Sequence, residues 1–130
     1  MTVFFDTNIL IYAYTSDPKR DRARDALADG GVISAQVLNE FTSVLRRKYA
    51  KTWQEIEIAI GDARDRFEEI VPLTVKTHSS ALSLARDHGF SFYDALIVAA
   101  AIEAKCEVLF SEDMQHGRVI GGLTIVNPFR

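Results

Sequence analysis

Short apolar runs alternate with longer amphipathic segments along this chain, and that alternation is typical of an α/β protein. Five short, mainly apolar runs predict buried strands, at residues 3–5, 32–33, 70–73, 107–110 and 123–126. Continuously apolar strands joined by helices favour a parallel sheet that is covered on both faces. The pattern therefore predicts a three-layer α/β/α fold with five strands, formed as a single domain by residues 1–130.

The segments between these runs show the apolar spacing of helices, which are expected near residues 9–14, 17–28, 35–49, 52–67, 77–88 and 92–104. Asp17 and Pro18 have the residue types of an N-cap and a first helical position. Thr52 is a candidate N-cap of the helix near 52–67, and Gly89 is a plausible C-cap. The segment 92–104 is apolar nearly all round, so we expect this helix to lie at the centre of the fold.

Two of these helices contain more large apolar side chains than one small core obviously needs. The residues concerned are Ile9, Ile11, Tyr12, Tyr14, Phe41 and Leu45. They either belong to the core or form part of a surface that accepts a second protein chain. The sequence pattern leaves both interpretations open.

The composition limits the function classes. The net charge of -3 is not that of a protein that holds nucleic acid by bulk charge, so any nucleic-acid function must depend on a local site. The single cysteine, Cys106, permits no internal disulfide and fits a reducing cytoplasm. The longest apolar run, 95–102, is far shorter than the roughly 20 residues of a membrane span, and no signal peptide is expected.

Four acidic residues are predicted at one edge of the sheet, the carboxyl edge where α/β proteins bind ligands. Asp6 ends the first strand and Glu40 lies about one and a half turns into the helix after the second. Asp94 is in the first turn of the helix that leads into the fourth strand, and Asp113 follows that strand. Each alone has an ordinary explanation as a helix cap or a solvated side chain, but four at one edge indicate one site.

Carboxylates that are brought together repel one another and raise one another's pKa values, and a hard divalent cation removes this conflict. Mg²⁺ and Mn²⁺ prefer oxygen ligands, whereas the sequence has no paired His or Cys spacing typical of zinc. Such an ion activates water and stabilises the charge of a phosphodiester during its hydrolysis. Metal-dependent phosphodiester hydrolysis is therefore the chemistry that these residues favour.

The chain resembles the PIN-domain family over essentially its whole length, and within that family the VapC-type toxin ribonucleases. The resemblance depends on an ordered set of motifs: Asp6-Thr7-Asn8, the glutamate of Asn39-Glu40-Phe41, Tyr93-Asp94-Ala95, and Ser111-Glu112-Asp113.

This resemblance implies strand order 3-2-1-4-5 and a Mg²⁺ or Mn²⁺ site formed by Asp6, Glu40, Asp94 and Asp113. It also implies endoribonuclease activity, a cognate antitoxin that neutralises it, and a homodimer. On this basis, Thr7, Asn8 and Ser111 are expected to hold the carboxylates in place. Ser111 stands where the family more often has Thr, and Glu112 is an additional acid at a variable position.

A basic cluster, Arg46-Arg47-Lys48, lies near the predicted end of the helix 35–49. Its charges either interact with the helix dipole or contact RNA phosphates, and the sequence leaves both open.

Three other functions compete with that of a toxin ribonuclease. A phosphoacceptor receiver domain needs an Asp at the end of its third strand and a Lys after its fifth. Here the third strand is followed by Thr74-Val75 and the fifth by Asn127-Pro128, so both residues that a receiver domain needs are absent from these positions. The alternatives that stay open are a PIN-fold nuclease of RNA processing outside any toxin–antitoxin pair, and a catalytically inactive PIN binding module.

Overall fold

The structure is a computed structural model that describes residues 2–130, within which six strands and six helices form. The strands are β1 (Val3–Phe5), β2 (Val32–Ser34), β3 (Glu69–Val71), β4 (Val108–Phe110), β5 (Val119–Ile120) and β6 (Leu123–Val126). The helices are α1 (Thr7–Ala13), α2 (Arg20–Leu27), α3 (Ala35–Arg47), α4 (Trp53–Arg66), α5 (Val75–His88) and α6 (Phe92–Glu103).

The strands form one sheet in the order β3-β2-β1-β4-β6-β5, in which only β5 runs antiparallel to its neighbour. The predicted α/β class and the order of the five predicted strands are confirmed, because the predicted fifth strand is β6. The predicted count of five is wrong. The additional strand β5 has only two residues and folds back on β6 through Gly121-Gly122, so it is too short to show a strand pattern.

Several predicted helix ends are confirmed and one is wrong. Thr52 caps α4 by accepting a hydrogen bond from the Glu55 backbone N–H, and Gly89 ends α5 in the left-handed conformation. Helix α2, however, begins at Arg20 and not at Asp17. The Asp17 carboxylate accepts a hydrogen bond from the Lys19 backbone N–H and so forms a turn ahead of the helix.

The apolar side chains of α1 and α3 belong to the core. Ile9, Ile11, Phe41 and Leu45 are all buried, and Tyr12 and Tyr14 pack partly against them. The core interpretation of these residues is therefore confirmed. Helix α6 is buried from Ala95 to Ala101, which gives it the predicted central position.

No helix among residues 2–130 has both the length and the apolar character that crossing a membrane requires.

Gly31, just before β2, allows close packing against β1. Its φ is +145°, and a Cβ there would lie 2.5 Å from Phe5 Cε2 and 2.7 Å from the Val3 carbonyl oxygen. We predict that Gly31→Ala lowers the free energy of unfolding in urea by about 2 kcal/mol or more, because it combines overpacking with backbone strain. The control is Gly61→Ala in α4, which meets no atom within 4 Å and should stabilise by roughly 0.5–1 kcal/mol. Wild-type stability of Gly31→Ala would contradict the prediction.

Candidate active site

The pairing of β1 with β4 brings two polar residues together at the carboxyl edge of the sheet. Phe5 pairs with Phe110, so the next residues on the two strands, Asp6 and Ser111, are neighbours. The Asp6 N–H donates to the Phe110 carbonyl at 2.9 Å, and the Ser111 hydroxyl donates to Asp6 Oδ2 at 2.7 Å. Both residues are buried, so the Asp6 carboxylate is held in one orientation.

The first turn of α1 connects Asp6 to two of the other acids. Asp6 is the N-cap of this helix, and its Oδ1 accepts a hydrogen bond from the Thr7 N–H at 2.7 Å. The Thr7 hydroxyl donates to Glu40 Oε1 at 3.4 Å, and the Asn8 side-chain amide donates to Asp113 Oδ2. Thr7, Asn8 and Ser111 therefore each contact a carboxylate of the predicted set.

Glu40 and Asp94 reach this edge from two helices. Glu40 on α3 is half-buried, and its Oε2 accepts a hydrogen bond from the Gln36 amide at 2.9 Å. Asp94 is in the first turn of α6, where Ser91 caps the helix by accepting from the Asp94 N–H at 3.3 Å. Gln36 was not among the predicted site residues, although its spacing of four residues from Glu40 on a helix is a signal that it could contact the glutamate.

Three of the four carboxylates, those of Asp6, Glu40 and Asp94, are partly or fully removed from solvent and lie close enough to acidic neighbours to be repelled by them. Burial raises the pKa of Asp6 to about 7; the hydrogen bonds from Ser111 and Thr7 oppose this shift, and the charges of Asp94 and Glu40 add to it. Burial likewise raises the pKa values of Glu40 and Asp94, the first also through repulsion by Asp94 and the second also through Asp113. Within residues 2–130, none of these four acids forms an ion pair.

The four carboxylates nevertheless do not converge on one common position. In the part of the chain that the structure describes, no three His, Cys, Asp or Glu side chains lie close enough together to enclose one metal ion. The four carboxylates thus share one electrostatic environment without forming a ready-made cage. An ion held by several of them would draw these side chains closer together.

Glu112 is occupied by other contacts. Tyr12 donates its hydroxyl to Glu112 Oε1 at 2.5 Å, and Lys19 forms an ion pair with Oε2. Burial alone would raise the pKa of Glu112, but these hydrogen bonds outweigh it and lower the pKa. Glu112 therefore anchors the loop that carries Asp113 to α1 and the turn before α2. No sequence signal identifies this contact, because Tyr12 and Glu112 are 100 residues apart.

The three residues of the basic cluster at the end of α3 lie in different environments. The Arg46 guanidinium lies 4.7 Å from the centre of the Trp53 ring and donates to the Lys51 carbonyl. Lys48 lies over the Tyr49 ring. Arg47, by contrast, donates from Nε to the Ser43 hydroxyl at 2.9 Å and lies on the same side of α3 as Glu40.

Comparisons with known proteins agree with this architecture. A family model described as the PIN domain matches residues 3–121. A toxin–antitoxin complex from Klebsiella pneumoniae contains a chain with a TM-score of 0.74 and 23% identity, and the match covers 98% of both chains. The VapC20 toxin of Mycobacterium tuberculosis, which cleaves the sarcin–ricin loop, gives a TM-score of 0.73 at 18% identity over 86% of this chain and 90% of its own.

A third solved structure, VapBC2 from Rickettsia felis bound to a DNA fragment from its promoter, gives a TM-score of 0.69 at 21% identity and covers 96% of this chain and 97% of its own. No curated protein sequence matches the chain. At these identities the solved structures establish likeness of fold.

The raised pKa of Asp6 predicts a pH-dependent stability. Between about pH 4 and pH 7 the folded protein holds a proton on Asp6 that the unfolded chain has released, so stability falls as pH rises through this range. Asp6→Asn removes the buried charge. In EDTA at pH 8 we expect the variant to melt roughly 5 °C or more above wild type, with the difference shrinking towards pH 5. A difference that does not change with pH would contradict the assignment of this pKa.

Proposed function

The chain belongs to the PIN-domain family, and from this premise we propose that it is an endoribonuclease that depends on Mg²⁺ or Mn²⁺. The observation that carries the proposal is the buried carboxylate of Asp6, which has no cationic partner among the described residues and faces the charges of Glu40 and Asp94. Buried charges are normally paired or bind a metal. A site that concentrates negative charge in this way is suited to a divalent cation.

The donor set fits a hard cation, because all four candidate ligands are carboxylates. We assign Asp6 and Asp94 as the central ligands and Asp113 as a ligand that binds directly, through water, or at a second metal position. Glu40 either binds the metal or orients the attacking water. The bound ion would supply an activated water and would stabilise the negative charge of the phosphodiester.

The surrounding residues fix the orientations of these acids. Ser111 and the Thr7 N–H hold both oxygens of Asp6, which leaves the carboxylate little rotational freedom. Asn8 holds Asp113, and Gln36 holds Glu40. Such outer contacts reduce the reorganisation that is needed when a ligand binds, and their loss typically costs roughly 10- to 100-fold in metal affinity or activity.

We predict that Asp94→Asn and Asp113→Asn each lower the rate of RNA cleavage by more than roughly 100-fold. This is more than the loss of an outer contact typically costs. The measurement is cleavage of an RNA pool by protein purified free of other nucleases, in Mn²⁺ and in EDTA. Glu112→Gln is the matched control, because it removes one carboxylate charge from the same loop. It should retain most of the activity, since the glutamine amide oxygen can still accept the Tyr12 hydroxyl and so keep the loop anchored. Equal loss in all three variants, or cleavage in EDTA by wild type, would refute the assignment.

We further propose that the enzyme is the toxin of a type II toxin–antitoxin pair, a cytoplasmic single-domain protein that an antitoxin neutralises and that forms a homodimer. The likeness of fold to VapC and VapBC chains supports the antitoxin. Val75 and Leu82, 84% and 54% exposed, are seven residues apart on α5 and so lie on one side of this helix, where they offer apolar surface to a partner.

Expression in a bacterial host separates a toxin from an RNA-processing nuclease. We expect wild type to arrest growth and to create new RNA 5′ ends, and Asp94→Asn to do neither. RNA cleavage in vitro without any effect on growth would favour a processing nuclease.

Light scattering tests the homodimer. The Asp94→Asn protein should give twice the monomer mass, and a strict monomer would exclude the homodimer.

A further inference from the structure

A groove of about 530 Å³ contains Glu40 in its lining and extends along α3 as far as Arg47. Its lining residues are Gln36, Asn39, Glu40, Ser43, Arg47 and Tyr93. The first five lie on one polar side of α3, opposite the buried Val37, Phe41 and Leu45. A cavity of similar size, about 490 Å³, lies between β1 and α2 and contains none of the four carboxylates. Of these two cavities, the groove beside Glu40 is the one that shares a residue with the candidate active site.

Tyr93 forms the wall of this groove that faces α3. The side chain is 64% exposed although the next residue, Asp94, belongs to the candidate metal site. The Phe92 and Tyr93 rings pack edge-on with their centres 5.9 Å apart. The His78 and Phe92 rings pack in the same way with their centres 5.1 Å apart. A large aromatic side chain that packs against a second ring and is otherwise exposed to solvent beside a reaction site is suited to stacking against a base.

Arg47 supplies the cation of the groove. It lies seven residues from Glu40, which corresponds to about 10 Å along the helix. Its Nε donates to the Ser43 hydroxyl, which fixes the side chain, and the guanidinium group carries four further N–H donors suited to a phosphate. Arg46 has the same charge but packs on Trp53 instead.

We propose that this groove binds one unpaired nucleotide of an RNA strand, next to the phosphodiester that is cleaved. Its base stacks on Tyr93, its phosphate contacts Arg47, and the Asn39 amide lies within the groove to hydrogen-bond a base edge. The occupant is single-stranded, because a base within a duplex has no face available for stacking. This inference rests on the proposed ribonuclease function and identifies where the substrate strand lies.

The test measures RNA binding separately from cleavage. A fluorescein-labelled, unstructured oligoribonucleotide of mixed sequence is titrated with the full chain in EDTA, and its fluorescence anisotropy is followed. Because stacking of one base on an aromatic side chain contributes about 1–3 kcal/mol, Tyr93→Ala should raise Kd roughly 5- to 150-fold. Tyr93→Phe keeps the ring and should stay within about twofold of wild type.

The salt dependence distinguishes the two contacts. Each phosphate contact on a single strand contributes about 0.7 to the slope of log K against log salt concentration. Arg47→Ala should therefore weaken binding and reduce this slope by about 0.7, whereas Tyr93→Ala should leave the slope unchanged. Arg20→Ala in α2 removes the same charge from an exposed helix outside the groove and should change neither quantity.

The outcomes separate this inference from the function on which it rests. If wild type cleaves RNA while Tyr93→Ala and Arg47→Ala bind and cleave as wild type does, the groove is not a subsite and the ribonuclease function stands. If wild type binds RNA through Tyr93 and Arg47 but does not cleave it with Mg²⁺ or Mn²⁺, the catalytic proposal fails and the binding site stands. Absence of RNA binding up to roughly 100 μM, the weak end of non-specific binding, both by wild type in EDTA and by the non-cleaving Asp94→Asn variant in Mg²⁺, overturns the subsite.

Discussion

The parallel pairing of β1 with β4 is the constraint on which the site depends. Because Phe5 lies opposite Phe110, the residues that follow them meet at the sheet edge, and Ser111 holds the carboxylate of Asp6. A shift of one residue in this register would turn Asp6 to the other face of the sheet. The phenylalanines around β1 oppose such a shift, since the buried Phe5 ring packs against both Phe67 and Phe110.

This arrangement has an energetic cost. Asp6 is desolvated and faces other carboxylates, so its ionised form is less stable in the folded protein than in the unfolded chain. Natural proteins commonly accept such a cost at sites that do chemistry, because the same charges are needed for binding. The surrounding core, with Ile9, Leu10 and Ile97 fully buried, offsets this local loss.

Much of the fold and the candidate site could be predicted because both depend on local patterns. Apolar runs mark the strands, and an acid that closely follows β1 or β4 is expected at the carboxyl edge of a parallel sheet. The same reasoning reaches the N-terminus of α6, whereas the strand order and the roles of Thr7, Asn8 and Ser111 were expected from the resemblance to PIN domains. It does not specify distances, and so the sequence could not show that the carboxylates remain too far apart to form a closed cage.

The features that could not be predicted depend on tertiary contacts or on very short elements. Glu112 reads as an extra acid in the sequence, and only the folded chain brings Tyr12 and Lys19 to it. The start of α2 was misplaced because the Asp17 side chain bonds within a turn instead of capping the helix. The groove beside Glu40 needs Tyr93, which approaches α3 only through the packing of α6.

The two ends of the sheet have a consequence for how the molecule associates. Unpaired strand edges recruit strands from other chains, and proteins limit this with short edge strands and with proline. Here one outermost strand of the sheet is the two-residue β5. The outermost strand on the other side is the three-residue β3, which is followed by Pro72. Neither edge offers a long ladder of free backbone groups. Strand addition is thereby disfavoured, and a protein that binds this molecule meets mainly the side chains of its helices.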